Sequence, residues 1–157
     1  MTPVEQREAL VELRRQQTRL KELELRLLVQ ADRDGVGVDS GATSTPAWLA
    51  HATRTTSASC HRDLHLARKL DDRFEATRRA LAAGDIDVEK ATIVTAAVEA
   101  LTAEYDDLPA GTEARAEAHM IGLAKEFDPP TLKQLGKRLF EVVCPEAADA
   151  AEGRKLE

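Results

Sequence analysis

The sequence predicts an all-α protein, a bundle of about six to seven helices with one long N-terminal amphipathic helix, and three observations carry that expectation. Its 157 residues include 26 Ala and 19 Leu, both strong helix formers, against 8 Gly and 6 Pro. Aromatic residues make up only 3%, and the chain is poor in the β-branched and aromatic residues that strands use. Apolar residues recur at three- and four-residue spacing along most of the chain, the period of a helix with one buried face.

The elements follow in order. Thr2, Pro3 and Glu5 make a helix start, with Thr2 as N-cap and Glu5 reaching back as a capping box. No Gly or Pro then occurs until Gly35, while Leu13, Leu20 and Leu27 recur every seven residues and Leu10 and Leu23 complete the stripe. This predicts one helix over 3–33, roughly 46 Å long. A compact domain of this length is only about 40 Å across, so the helix spans the domain or projects from it.

Gly35, Gly37 and Gly41 make 34–44 a loop. Thr45 as N-cap and Pro46 in the first turn open a short helix with Trp48 and Leu49, which polar residues 53–56 interrupt. Thr56 or Ser57 caps the next helix, which runs to about Leu70 with Leu64, Ala67 and Leu70 inward. Phe74, Thr77 and Leu81 continue a helical stripe that Gly84 stops in the left-handed conformation. Asp87 caps a helix with Ala91, Val94, Val98 and Leu101 on its apolar face. After an acidic connection with Pro109 and Gly111, Thr112 caps a helix through Met120, Leu123 and Phe127. Asp128 and Pro129 start the last, with Leu132, Leu135, Leu139 and Val143, which Pro145 ends. One helical domain over 1–145 results, its bundle occupying 45–145. Residues 146–157, rich in Ala and charge, read as a tail or a severed linker.

Composition narrows the function. The net charge of -6 conceals an uneven layout: residues 51–80 are net +3, whereas 81–128 are net -8. A phosphate-binding face therefore belongs in 51–80. No apolar run approaches the roughly 20 residues that span a bilayer, and residues 1–30 mix both signs of charge, so a cytoplasmic chain with no membrane partner is expected. Cys60 and Cys144 form no Cys-x-x-Cys pair, which suits a reducing compartment. His61 and His65 share a helix face, but zinc needs four ligands and Cys60 points about 100° away from His61. Gly35-Val-Gly37 lacks the third Gly and the Lys of a phosphate loop, and no Gly-x-Ser-x-Gly elbow occurs. Asp71-Asp72 and Asp106-Asp107 read as solvated surface or caps. No catalytic residue, metal, cofactor or small-molecule substrate is assigned.

Two surfaces remain. Residues 46–53, a break at 54–56 and a helix from Ser57 to Leu70 have the lengths of a helix-turn-helix. Arg54, Ser57, Ser59, Arg62, Arg68 and Lys69 would then contact DNA through phosphates and base edges. Against this, the linking residues contain no Gly and the helix carries Asp63. The plain alternative is a bundle corner with Trp48 packed inward and the Arg stems lying over the core. In the first helix, Leu13, Leu20 and Leu27 resemble a coiled-coil seam that would make a homodimer, although Gln17 and Glu24 occupy intervening seam positions. The alternative there is a stripe that docks on its own bundle.

Several segments in series carry a resemblance: Gly41-Ala-Thr-Ser-Thr-Pro-Ala-Trp48-Leu49-Ala, Leu66-Ala-Arg-Lys-Leu70, Ala80-Leu-Ala-Ala-Gly84-Asp-Ile86 and Val88-Glu-Lys-Ala91. Together they resemble the actinobacterial 13E12 repeat family, domain of unknown function (DUF) 222, from about residue 15 to 145. Asp87 stands where Ser or Thr is expected, and Phe74 where Leu-Pro is usual. The resemblance implies an all-helical N-terminal region that, in typical members, precedes an HNH-type endonuclease module. The general-base His and metal-binding Asp, His or Asn on a ββα element that such a module needs are not found here. The resemblance thus implies a non-catalytic helical domain that contacts DNA to position a nuclease module, the alternative being a structural or self-association module.

Overall fold

The first helix begins as its opening residues dictate. Thr2 Oγ1 accepts the Glu5 N–H at 3.3 Å and Glu5 Oε2 accepts the Thr2 N–H at 2.6 Å, so the expected capping box is formed. In the computed structural model, which describes residues 1–145, this helix, α1, runs over Pro3–Arg33. The expected tail at 146–157 lies outside the described residues. Gly35, at φ 74°, turns the chain where a side chain would be strained.

Among the described residues eight further helices follow: α2 (Val36–Asp39), α3 (Thr45–Thr53), α4 (Ser57–Asp72), α5 (Glu75–Ala83), α6 (Val88–Glu104), α7 (Thr112–Glu126), α8 (Pro129–Gly136) and α9 (Leu139–Val143). The described residues contain no strand, and the protein is all-α. Among the described residues, nine helices rather than six or seven arise at two places. A single turn, α2, forms inside the Gly-rich connection. The last helix breaks after Gly136, where the backbone presses against Ala97 and Met120 so closely that a Cβ would stand 3.2 Å and 3.3 Å from them.

By their contacts the residues form two compact units, Met1–Asp85 and a second that begins at Ile86. In the first, Leu25, Leu28 and Val29 of α1 pack with Leu64, Ala67 and Leu70 of α4 and with Phe74 and Leu81, all buried. In the second, Ala91, Val94, Val98 and Leu101 of α6 meet Ala116, Met120 and Ala124 of α7, together with Leu132 and Leu139. Each large apolar side chain so enclosed contributes about 1.5–3 kcal/mol.

Thr56, Asp87 and Asp128 each cap a helix as expected, accepting the N–H of Ser59, Lys90 and Thr131. Two caps differ from expectation. Ser44, extended at φ -163°, caps α3 by accepting the Ala47 N–H, because the hydroxyl of the buried Thr45 instead accepts the Gly37 N–H at 3.2 Å. Gly111, at φ 80°, precedes α7, and Thr112 is its first helical residue, buried against Cys144. Phe127 lies just past the end of α7 and is exposed rather than inward.

Candidate interaction surfaces

The corner between α3 and α4 is built by the polar break at 54–56. Arg54 takes the left-handed conformation that a helix end ordinarily gives to Gly, at φ 58° and ψ 34°. A non-glycine residue there costs roughly 1–2 kcal/mol. The Thr55 N–H returns to the Ala50 carbonyl at 3.0 Å, and Thr56 caps α4. The missing Gly that counted against a sharp link is thus replaced by strain at Arg54.

On α4, Ser57, His61, Arg62, His65 and Arg68 are exposed, with Lys69 half-buried beside them, and their spacing gathers them on one side of the helix. Ser59 is half-buried and lies at the edge of this face, about 60° from Arg62 and farther from the rest. Trp48 is half-buried. Ser57 is also engaged, its carbonyl and hydroxyl lying 2.8 Å and 3.2 Å from His61 Nδ1. Cys60 is buried behind this face, its thiol 3.5 Å from Thr55 Oγ1, so Cys60, His61 and His65 do not converge. No group of three or more His, Cys, Asp or Glu able to hold a metal occurs among the described residues.

Much of the positive charge in 51–80 is already matched. Arg68 Nη2 lies 2.6 Å from Asp32 of α1, and Arg78 Nη1 lies 3.7 Å from Glu22. Lys69 and Arg73 have partners as well. Acids of α4 meet bases of α1 in turn: Asp63 with Lys21 at 2.7 Å, and Asp71 and Asp72 with Arg33 at 2.6 Å and 3.1 Å. Burial pulls the Lys21 ammonium down, but its hydrogen bonds to Asp63 and Glu24 outweigh that and leave its pKa raised. The partly buried Lys21–Asp63 pair is worth about 0.2–1 kcal/mol. Among the described residues, the Arg54 and Arg62 side chains make no hydrogen bond or ion pair.

The second surface is the outer side of α1. Its inner side, with Glu22, Leu25, Leu28 and Val29 buried, meets α4 and α5. Leu13, Leu20 and Leu27 are 55%, 67% and 67% exposed, so the stripe does not dock on its own bundle. At 100° per residue the inner side is centred opposite the row Leu13, Gln16, Leu20, Leu23, Leu27 and Gln30, all exposed. That row alternates steps of three and four, as a coiled-coil seam does. It places Gln16, Leu23 and Gln30 in the second seam position and leaves Gln17 and Glu24 flanking, a shift from the sequence reading. The reason is that the inner contacts fix which way the helix faces.

On the inner side sits Glu22, 2% exposed. Its Oε2 accepts from Arg26 Nη2 at 3.2 Å, while Oε1 has no hydrogen-bond partner and only Arg78 at 3.7 Å. A cleft beside it, bounded by Leu25, Val29, Leu70 and Asp71, has a cavity volume of about 10 Å³, room for about one water molecule and far below a small-molecule site. No helix among the described residues is long and apolar enough to cross a membrane.

The model of one family, described as Domain of unknown function (DUF222), matches residues 7–157. No curated protein and no solved structure matches the chain.

Proposed function

The chain belongs to the DUF222 family, and for this member we propose a self-association module that pairs two copies through the outer side of α1. The observation that carries the reading is the exposure of Leu13, Leu20, Leu23 and Leu27, each more than half open to solvent in one row. A soluble chain rarely leaves a contiguous apolar strip of this kind uncovered. Four leucines from each copy, moving from half exposed to covered, contribute about 7–14 kcal/mol in all. Association costs at least about 4 kcal/mol. The domain would then hold together, two by two, any HNH-type module joined to it.

Sedimentation velocity between about 1 μM and 1 mM protein tests this. The wild-type chain should show a concentration-dependent dimer and Leu20→Asp a monomer. Leu20 is two-thirds exposed, so the variant should keep the wild-type circular dichroism spectrum. Identical monomeric sedimentation of both proteins would reject the reading.

A second reading, DNA contact through the α3–α4 corner to position a nuclease module, is supported by one observation: Arg54 and Arg62 stand exposed and unmatched at the start of α4. The ion pair of Arg68, the engagement of Lys69 and Ser57 and the half-burial of Ser59 reduce the six residues expected for that role to these two.

A further inference from the structure

We infer that the two α1 helices pair in parallel and in register, with Arg19 of each copy meeting Glu24 of the other. The inference rests on the self-association reading and adds the orientation. Three features of α1 lead to it.

The seam row itself favours it. Leu13, Gln16, Leu20, Leu23, Leu27 and Gln30 hold four leucines, three of them at the same heptad position. A parallel two-fold places like against like, so Leu13, Leu20, Leu23 and Leu27 each meet the same leucine, and Gln16 and Gln30 each meet a glutamine able to hydrogen-bond to it. In an antiparallel pair the first seam position of one helix meets the second of the other. Leu20 and Leu23 can then oppose each other, but Leu13 faces Gln30 and Leu27 faces Gln16. Two apolar layers are lost.

The flanking charges agree. In the parallel pair the residue before each first seam position reaches the residue five places on in the other helix, which matches Arg19 with Glu24 twice by symmetry. The antiparallel pair that apposes Leu20 and Leu23 sets Arg19 against Arg26 twice, like charge to like. Arg19 is exposed and makes no hydrogen bond or ion pair among the described residues, and Glu24 is held only by Lys21 on its own helix, at 3.0 Å.

The bundle permits it. The helices that cover α1 lie on the side opposite the seam row. A two-fold axis running along the seam therefore carries α4 and α5 of the two copies away from each other.

Sedimentation of the full chain with two charge reversals tests the orientation. Arg19→Glu alone sets acid against acid at both contacts of its own dimer, and Glu24→Arg alone sets base against base, so each should dimerise about tenfold more weakly than wild type. An equimolar mixture restores opposite charges at both contacts of the mixed dimer and should return to wild-type affinity. A wild-type dimer whose two variants are weakened but do not rescue each other, or are not weakened, overturns the parallel pairing while self-association stands. A wild-type chain that stays monomeric rejects self-association and the orientation with it.

Discussion

Single residues decide where this chain turns, and composition alone blurs them. Gly35, Gly37 and Gly41 together read as a loop, yet they serve different ends. Gly35 and Gly41 have φ near 75° with open space around them. Gly37 is buried, and a Cβ there would collide with the backbone of Ser44 and Thr45. Gly37→Ala should therefore lower stability by about 1–3 kcal/mol, as overpacking does, measured as a fall in the urea midpoint. An unchanged midpoint would show that the α2–α3 approach is not close. Arg54 teaches the reverse lesson. A left-handed position without Gly is invisible to a reading that looks for Gly, so the sharpness of the α3–α4 corner could not be read beforehand. Similarly, Ser44 and Thr45 both suit a cap, and only the Gly37 N–H waiting for an acceptor assigns them.

At the scale of elements the sequence was largely legible, since periodicity and caps are local. The bounds of α1, the caps at Thr56, Asp87 and Asp128, and the stop at Gly84 were all readable from it. The Asp128 cap has a pH dependence. Its hydrogen bonds from Thr131 hold the carboxyl below the ordinary carboxylate range. A depressed folded pKa stabilises fully above the unfolded value of about 3.9 and is lost as pH falls through the folded one. Asp128→Ala should thus melt below wild type at neutral pH, with the gap narrowing by about pH 2.5. An equal gap at both pH values would mean the carboxylate charge plays no part in the cap. What periodicity could not settle was which side of α1 is buried. Leu13, Leu20 and Leu27 form its clearest repeat, but the bundle takes Leu25, Leu28 and Val29 and accommodates Glu22 among them. A helix with two apolar sides gives two valid stripes, and only its neighbours choose between them.

For the whole molecule, net charge by segment misleads because it ignores pairing across the fold. Of the bases in residues 51–80, Arg68 and Arg78 pair with Asp32 and Glu22 of α1, which are distant in sequence, while acids of the same segment pair with Lys21 and Arg33. DNA contact at this corner should consequently be carried by Arg54 and Arg62. A titration at two salt concentrations should show the Arg54→Ala, Arg62→Ala double variant binding more weakly, with a salt slope smaller by up to about two. Equal affinity and slope in both proteins would remove DNA contact at this corner. The Glu22 arrangement has a consequence of a different kind. A long helix lying on a bundle can slide along its axis by one turn, which on the inner side of α1 would set Glu22 near the place of Leu25. Such a slip would carry Glu22 about 5.4 Å along, out of the grip of Arg78 and into apolar surroundings with only Arg26 of its own helix beside it. A single enclosed carboxylate thereby acts as a detent, fixing which turn of the helix lies over which neighbour.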